Sequence, residues 1–325
     1  VNVSGTVNGV LVRNSINFNV SYNSITSSNG GVTAGTINGI QIPAFTVAPT
    51  GTFTNNINNN TLSVKSGLIA GAINGINSLG TSASATSTLN INNNEFNNFG
   101  HTVAGTATII LINNTGTHQF QNINNNTFTN LNVNTTGSVT FIQNTNSNPT
   151  AGGIKNVNNN AIVTGFTKTG AGGTVTLFVD NGSDVAGCFN NSNNNNFSNI
   201  TVTGATTIAG WGNTNGGSPT KTVTGNTFSN LTGGTSAITG LAVSFSGSST
   251  VSGNLVSNIS SGGAITGITS GSGTLENFSQ NTVHTLTSTG ASAVTGMSNT
   301  GGTTKIFSKN KIYNLEANNA SGTVN

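Results

Sequence analysis

The sequence has little charge and almost no cysteine. Its 325 residues include eight lysines and arginines, five aspartates and glutamates, and one cysteine, Cys188. A single cysteine cannot form an internal disulfide, so we interpret Cys188 as a buried small apolar residue. The cations do not gather into the basic stripe that neutralises phosphates, which argues against nucleic acid as a partner. No apolar run is long enough for a membrane helix, and membrane insertion is not expected.

The sequence also lacks the features of a helical protein. Glycine contributes 44 residues, and asparagine, threonine and serine are abundant. All of these are poor formers of helix interiors, and no long apolar stripe with the 3.6-residue period of a helix is present. The apolar residues are nevertheless regularly spaced, which a disordered tract would not require. Short strands separated by turn residues are therefore expected.

One pattern recurs along the chain: an asparagine, any residue, an apolar residue, two further residues and a second apolar residue. It is seen in Asn94–Phe99, Asn126–Leu131 and Asn226–Leu231. The first apolar residue of each copy is an anchor, and successive anchors lie 27 to 37 residues apart. The anchors are Ile25, Leu62, Phe96, Phe128, Ile162, Phe197, Phe228, Val256, Val283 and Ile312. A pattern that returns at such intervals is typical of a solenoid.

Each repeat contains two further apolar stretches. One reads apolar, any residue, Gly, apolar, as in Ile73–Ile76 and Ile238–Leu241, and the other leads into the next asparagine, as in Lys221–Asn226. Three strands per repeat suit a parallel β-helix, whereas a propeller blade needs four strands and a longer repeat. We therefore predict an all-β fold, a right-handed parallel β-helix (β-solenoid) of about ten coils of roughly 27–37 residues with three short strands each. Residues 1–325 would form a single β-solenoid repeat domain.

The asparagine two residues before each anchor is expected to have two roles. Asparagine tolerates the left-handed backbone conformation of a sharp corner. Asparagines stacked one coil apart can also hydrogen-bond to one another along the stack. The predicted structural ladder consists of Asn60, Asn94, Asn126, Asn160, Asn195, Asn226, Asn254, Asn281 and Asn310. The glycine of the second stretch is expected to provide a bend without a Cβ clash.

Both ends of the sequence carry part of the second stretch. Ser321–Asn325 matches the start of Ser4–Val10 and stops before the glycine. Coils without polar caps expose open strand edges, which invite further pairing. We therefore expect more coils to follow, in the same polypeptide or in another copy stacked end to end.

The acidic residues are few and dispersed. The whole inventory is Glu95, Asp180, Asp184, Glu276 and Glu316. Glycoside hydrolysis needs two carboxylates across one bond, and only Asp180 and Asp184 are close in sequence. Their oxygens make them a calcium candidate, although the loop lacks the acid-rich pattern of calcium loops, and a polar turn in an inserted loop is the plainer interpretation. No other cofactor is expected.

Few other residues suggest chemistry. Lys155 and Lys168 lie in the same repeat as the aspartate pair, which keeps a polysaccharide lyase with a lysine base as an alternative. The three histidines lack ligand spacing, and we expect them on surface loops; they are His101, His118 and His284. Trp211 occupies the same slot as Leu241 and Ile268, so core packing is expected rather than sugar stacking.

The alternation of Asn-Asn-x-Phe-x-Asn-Leu with Ile-Thr-Gly-Ile resembles repeats of very large, secreted, adhesin-like surface proteins of Bacteroidota-type bacteria. Asn310–Leu315, followed by a Ser/Gly loop, is the closest local match. The resemblance extends from about Asn23 onward. It implies an extracellular location on a bacterial cell surface, export through the type IX route, and a stalk or adhesive role. It brings no catalytic residue with it.

These observations predict a structural, non-enzymatic surface protein that forms a rigid stalk, filament or adhesin. Its partners would be further repeats or copies of itself and surface glycans. The alternative is a carbohydrate-active β-helix that binds or cleaves a polysaccharide at Asp180–Asp184. Ice binding ranks third, because the threonine ranks do not recur at one register in every coil.

Overall fold

The computed structural model describes residues 5–27, 35–67, 70–101, 103–244, 247–319 and 321–325. Within these residues every regular element is a β-strand, and the strands pair in parallel, one coil upon the next. The all-β prediction is confirmed: the chain is a β-solenoid of about ten turns. No helix of the described part is long and apolar enough to cross a membrane.

The first sheet contains the second apolar stretch of each repeat. Its described strands are Val7–Leu11, Ile37–Ile42, Ile73–Ser78, Ile109–Asn114, Val139–Asn144, Thr174–Asp180, Thr207–Asn213, Ile238–Val243, Ile265–Ser270 and Val294–Asn299. The second sheet contains the stretch that leads into each asparagine. Its described strands are Asn19–Ser21, Phe53–Asn58, Ser87–Asn92, Phe120–Asn124, Ile154–Asn158, Phe189–Asn193, Thr220–Thr224, Ser248–Ser252, Leu275–Ser279 and Thr304–Ser308.

The third face contains the anchors and is divided into shorter sheets. One sheet comprises Ser24–Thr26, Thr61–Ser63, Glu95–Asn97, Thr127–Thr129 and Ala161–Ile162, and a small pair comprises Lys65–Ser66 and Gly100–His101. The remaining sheet comprises Leu131–Val133, Phe166–Lys168, Ile200–Val202, Thr227–Thr232, Leu255–Ser261, Thr282–Ser288 and Lys311–Ala317.

The anchors stack in register along the third face. Leu62 pairs with Phe96, and Phe96 pairs with Phe128 in the next coil. The rings of Phe96 and Phe128 are stacked with their centroids 5.2 Å apart. Ile25 pairs with Leu62, so the weaker copy of the pattern at the start of the chain belongs to the same column. Because the anchors from Leu62 to Val283 are buried on this inner side, each of these coils covers the core of the one before it.

Except at Gly210, which has a φ of 72°, the glycine of the second stretch provides room rather than a bend. A Cβ on Gly75 would lie 2.4 Å from the carbonyl oxygen of Leu111 and 2.6 Å from the ring of Phe96. Gly75 therefore leaves space for the aromatic anchor across the core. In the next coil Leu111 occupies the same inward position, as the pairing of Ile112 with Ile76 shows.

The final residues continue the first sheet. Val324 forms a parallel bridge with Val294, and the Asn325 N–H donates to the carbonyl of Val294 at 2.9 Å. Val294 is the first residue of the stretch Val294–Met297, so Val324 occupies the position that its sequence pattern predicts.

Candidate functional site

Polar side chains enter the solenoid where its faces meet. We name three buried corners. The asparagine corner joins the second sheet to the third face and contains Asn23 and the nine asparagines of the predicted ladder. The hydroxyl corner joins the third face to the first sheet and contains Thr135, Lys168, Thr206, Ser261 and Ser288. The ionic corner joins the first sheet to the second and contains Asn148, Lys155, Asp180, Asp184, Asn190, Asn215 and Lys221.

The asparagine corner is one continuous line of hydrogen bonds. Asn60 donates both its backbone N–H and its side-chain Nδ2 to Oδ1 of Asn94, at 3.0 and 2.9 Å. Asn94 repeats the arrangement onto Asn126, and the same pair of bonds is found at every step to Asn310. Asn23 adds a further member, since it donates to Asn60 in the same way.

The second proton of each ladder amide is also used. Asn126 Nδ2, for example, donates to the carbonyl oxygen of Ile91 at 2.9 Å. Each internal amide therefore gives both of its N–H groups and accepts two hydrogen bonds, which uses its donors and lone pairs fully. A buried polar column is stabilising only when it is satisfied in this way, and this one is.

The predicted backbone role of the ladder asparagines is wrong. The left-handed conformation belongs to the residue just before each of them, such as Asn59 (φ 58°), Asn93 (φ 57°) and Asn125 (φ 57°). Glycine takes this place twice, at Gly225 (φ 66°) and Gly253 (φ 64°). The corner is thus made by two adjacent residues: one turns the backbone, and the next turns its amide inward to bond along the stack.

At the hydroxyl corner, short polar side chains hold the loops that lead to the first sheet. Ser261 Oγ donates to the carbonyl of Ser236 at 2.6 Å, and Thr206 Oγ1 donates to the carbonyl of Gly172 at 3.1 Å. In one coil an ammonium group holds the loop instead of a hydroxyl: Lys168 Nζ donates to the carbonyls of Gly170 and Gly172. Its side chain is fully buried, and burial lowers the pKa of Lys168 to about 8.

The ionic corner contains the aspartate pair predicted as a calcium site. Lys155 Nζ lies 3.4 Å from Oδ1 of Asp180 and 3.0 Å from Oδ2 of Asp184, and all three side chains are at most 2% exposed. The two aspartates come together as their spacing suggested, but inside the solenoid and not in a polar surface turn. The Lys155 ammonium is their counter-ion in this buried cluster, and the calcium interpretation stays a prediction. In the described part of the chain no three His, Cys, Asp or Glu side chains form a group that could hold a metal ion.

Amide groups surround the two carboxylates. Asp184 Oδ1 accepts the backbone N–H of Asn148 at 2.6 Å, and its Oδ2 accepts Nδ2 of Asn215 at 2.7 Å and of Asn190 at 3.0 Å. Asp180 shares the same two amides, at 3.1 Å from Asn215 and 3.3 Å from Asn190. The carboxylates are thus held by donors that come from adjacent coils.

A second lysine lies beside this cluster. Lys221 Nζ donates to the carbonyls of Asn213 and Asn215 at 3.1 and 3.3 Å, and its side chain is fully buried. Burial lowers the pKa of Lys221 to about 7, although the charges of Asp180 and Asp184 act in the opposite direction. Three coils beyond Lys221, Lys305 pairs with the buried carboxylate of Glu276, which also accepts a hydrogen bond from Ser270 Oγ at 2.7 Å.

The strand alternation contains the signal that would have placed these lysines inside. Lys155, Lys221 and Lys305 each lie two residues before an inward apolar position of the second sheet, which is Val157, Val223 and Phe307 respectively. Residues two apart on a strand share a face.

Two of the three histidines, which were expected on surface loops, are buried. His101 is 8% exposed and His118 is 1% exposed. His118 packs edge-on against Phe53 at 5.9 Å, with its Nε2 3.3 Å from Nδ2 of Asn55. Burial lowers the pKa of His118 to about 4, despite a hydrogen bond with the Gly116 backbone, so the ring is neutral at ordinary pH.

The third histidine lies on the outside of the solenoid. His284 stacks on Tyr313 in the following coil, with centroids 4.7 Å apart and planes 5° apart. The pair is formed by the register of the third face, where the two residues are partners.

Trp211 is in the core, as predicted. It is fully buried, pairs in register with Leu241, and stacks on Phe178 at 4.5 Å. The strand is bulged here: Gly210 adopts a φ of 72°, and the register with the preceding coil shifts. Cys188 is buried as expected, and this burial raises the pKa of its thiol. It lies in the connection between a strand of the first sheet and a strand of the second.

The bulge lies beneath an open groove on the outer side of the first sheet. The groove has a volume of about 540 Å³ and spans three coils. Its floor is low because Ala209 and Gly212 stand where neighbouring coils carry larger residues, and its sides include Thr140, Thr176 and Gln143. All the residues that line it are uncharged; seven of the eleven carry a hydroxyl or amide group, and Phe178, Val179 and Ala209 add apolar surface.

Compared with family models, curated proteins and solved structures, the chain matches none.

Proposed function

We propose that this chain is a structural rod on a bacterial cell surface, where it acts as a stalk, filament or adhesin. The observation that carries the proposal is the unbroken line of amide hydrogen bonds from Asn23 to Asn310. A rod that transmits load needs every coil fixed to the next, and this line fixes them in addition to the backbone pairing of three faces. The extracellular location and the type IX export route rest on the resemblance of the repeats.

The interior chemistry supports a mechanical role. The only carboxylate pair close in sequence, Asp180 and Asp184, is buried and paired with Lys155. A polysaccharide on the outside could not reach these carboxylates without opening a coil. Their charges hold adjacent coils together, and a rod that carries mechanical load needs such contacts.

The end of the stack supports end-to-end continuation. Phe307 and Ile312 belong to inward columns, yet each is 46% exposed because no described coil covers it. We propose that a further coil of the same repeat covers them, supplied in the isolated chain by a second copy. Sedimentation analysis should show concentration-dependent association that Ile312→Lys weakens; a wild-type chain that stays monomeric at all concentrations contradicts this.

Displaying the chain on a membrane surface tests whether it acts as a rigid spacer. The chain is placed between a membrane-anchored domain and a tip label, and the height of the label is measured. Ten coils at about 4.8 Å each predict a narrow height distribution raised by roughly 48 Å. A broad or collapsed distribution would contradict a spacer role.

A second candidate, glycan binding by an adhesive rod, rests on the outer groove. Its uncharged hydroxyl and amide lining suits a neutral polysaccharide, whose hydroxyls need such partners. Binding is measured as retention of the chain on immobilised neutral β-glucan, mannan and chitin. Ala209→Trp fills the groove and should abolish retention, whereas Thr239→Trp, in the next coil, should not. Equal effects of the two variants, or no retention of the wild type, reject this candidate.

A further inference from the structure

We propose that Lys155 and Asp184 condense to an amide, a cross-link between adjacent coils that the chain forms by itself, with Asp180 as the acid–base group. This is a chemical property of the ionic corner and is independent of what the rod does. It follows from four features of that corner: a nucleophile in contact with an electrophile, a second carboxylate, oriented N–H donors, and exclusion of water.

The nucleophile and the electrophile are already in contact. Lys155 Nζ is 3.0 Å from Oδ2 of Asp184, so the amine is in direct contact with the carboxyl group whose carbon it would attack. Lys155 lies on the second-sheet strand Ile154–Asn158, and Asp184 follows the first-sheet strand Thr174–Asp180 of the next coil. Lys155 belongs to a packed strand, and Asp184 is held by the Asn148 N–H and the amides of Asn190 and Asn215, so the two groups stay in contact.

Asp180 is placed to move protons. Its carboxylate lies 3.4 Å from the same Lys155 Nζ, so both carboxylates share one amine. Asp180 can therefore take a proton from the attacking nitrogen and deliver it to the departing oxygen.

The donors around Asp184 are arranged for the negative charge that develops during attack. The Asn148 N–H points at Oδ1 from 2.6 Å, and Asn215 and Asn190 point at Oδ2. Fixed N–H groups that face a carboxyl carbon under attack act as an oxyanion hole. These donors come with the fold and need no reorganisation.

The step balances without a co-reactant. Within the buried ion pair one proton passes from Lys155 to Asp184, which leaves a neutral amine and a neutral acid. The amine lone pair forms the Nζ–Cγ bond, Asp180 accepts a proton from the nitrogen and returns it to the hydroxyl, and the Cγ–O bond breaks to release water. The products are one amide and one water. Two buried charges disappear, which removes their desolvation cost and favours the condensed form.

The other buried pair lacks these features and serves as a control. Among the described residues Lys305 contacts the Glu276 carboxylate, and the Ser270 hydroxyl also donates to that carboxylate. With no second carboxylate and no N–H donors at the carbon, Lys305 and Glu276 should remain an ion pair.

Intact mass measurement of the denatured full chain tests the proposal. The wild type should be lighter than its sequence mass by about 18 Da, one water lost in the amide-forming step. Trypsin should fail to cut after Lys155, and the peptides of Lys155 and Asp184 should be recovered joined. Lys155→Met and Asp180→Asn should both have their full sequence masses, whereas Glu276→Gln should still be lighter by one water.

The wild-type result decides without any variant, so a variant that fails to fold does not obscure it. A wild-type chain at its full sequence mass overturns the proposal. A water loss that maps to one linear peptide, as in a cyclised aspartate, overturns it too. A cross-link that persists in Asp180→Asn would keep the bond but reject Asp180 as its acid–base group.

Discussion

Asn126 donates two hydrogen bonds to a single atom of Asn160, the side-chain oxygen Oδ1, from its backbone N–H at 3.0 Å and from Nδ2 at 2.9 Å. The two residues are 34 positions apart in sequence and one coil apart in the stack. The bond from the backbone fixes the path of the chain, and the bond from the side chain fixes the next amide. A local choice of residue thereby sets the alignment of whole coils.

Replacing one ladder residue should therefore cost more than its own contacts. Asn126→Ala removes the acceptor of both Asn94 donors and leaves them buried and unpaired. We expect a loss of about 2–4 kcal/mol in the free energy of unfolding, measured by urea denaturation. Asn122→Ala is the matched control: Asn122 also stacks between coils, but half-exposed on the second sheet, where water can replace its bonds. A loss below about 1 kcal/mol is expected there, and equal losses would reject the special role of the buried column.

The residue before each ladder position should tolerate only side chains that accept the left-handed conformation. Gly253 has a φ of 64°, and the nearest atom to an added Cβ is 3.9 Å away. Gly253→Asn should leave the thermal midpoint unchanged, since asparagine takes this place in other coils. Gly253→Val should destabilise by about 1–2 kcal/mol because a β-branched residue is strained at positive φ. Equal midpoints for the two variants would show that the corner is not strained.

Lys221 should make the rod more stable in mild alkali. Its folded pKa is about 7 and its ordinary value is 10.5, so between these limits the unfolded chain binds more protons than the folded one. Stability should then rise with pH from about 7 to about 10, by about 3–4 kcal/mol. Urea midpoints across this range should flatten in Lys221→Met and keep their slope in the exposed control Lys311→Met. A flat wild-type profile contradicts a buried Lys221.

His118 should make the rod sensitive to acid. Its folded pKa is about 4 against an ordinary 6.5, so the unfolded chain binds an extra proton between these values. The stability given by the neutral ring is present above pH 6.5 and falls as the pH drops towards 4. His118→Gln should reduce this loss, measured as the difference between urea midpoints at pH 7 and pH 4.5, whereas His284→Gln should not. The same pH dependence in both variants would assign the effect elsewhere.

Much of the fold could be predicted from the sequence because stacked coils need the same residue pattern, so the pattern is repeated in every coil. The anchors, the slot of Trp211 and the succession of ladder asparagines are each repeated many times, so one misread coil does not alter the result. The placement of Val324 beside Val294 follows from the same repetition.

The corner chemistry could be predicted less well because it depends on single coils. Lys155, Asp180 and Asp184 meet through the loops of two coils whose paths no repeat specifies. His118 lies in a connection, where strand alternation gives no direction. The turn residue was misassigned by one position because two adjacent asparagines, such as Asn125 and Asn126, have equal sequence signals and different backbones.

Single-molecule pulling along the rod axis tests the central claim most directly, that the buried asparagine column joins the coils into one load-bearing unit. The wild-type chain should resist extension until it yields in one cooperative step, and Asn126→Ala should yield at a lower force, with Asn122→Ala close to the wild type. A wild-type chain that unwinds coil by coil at low force, or an Asn126→Ala chain as strong as the wild type, would contradict the account.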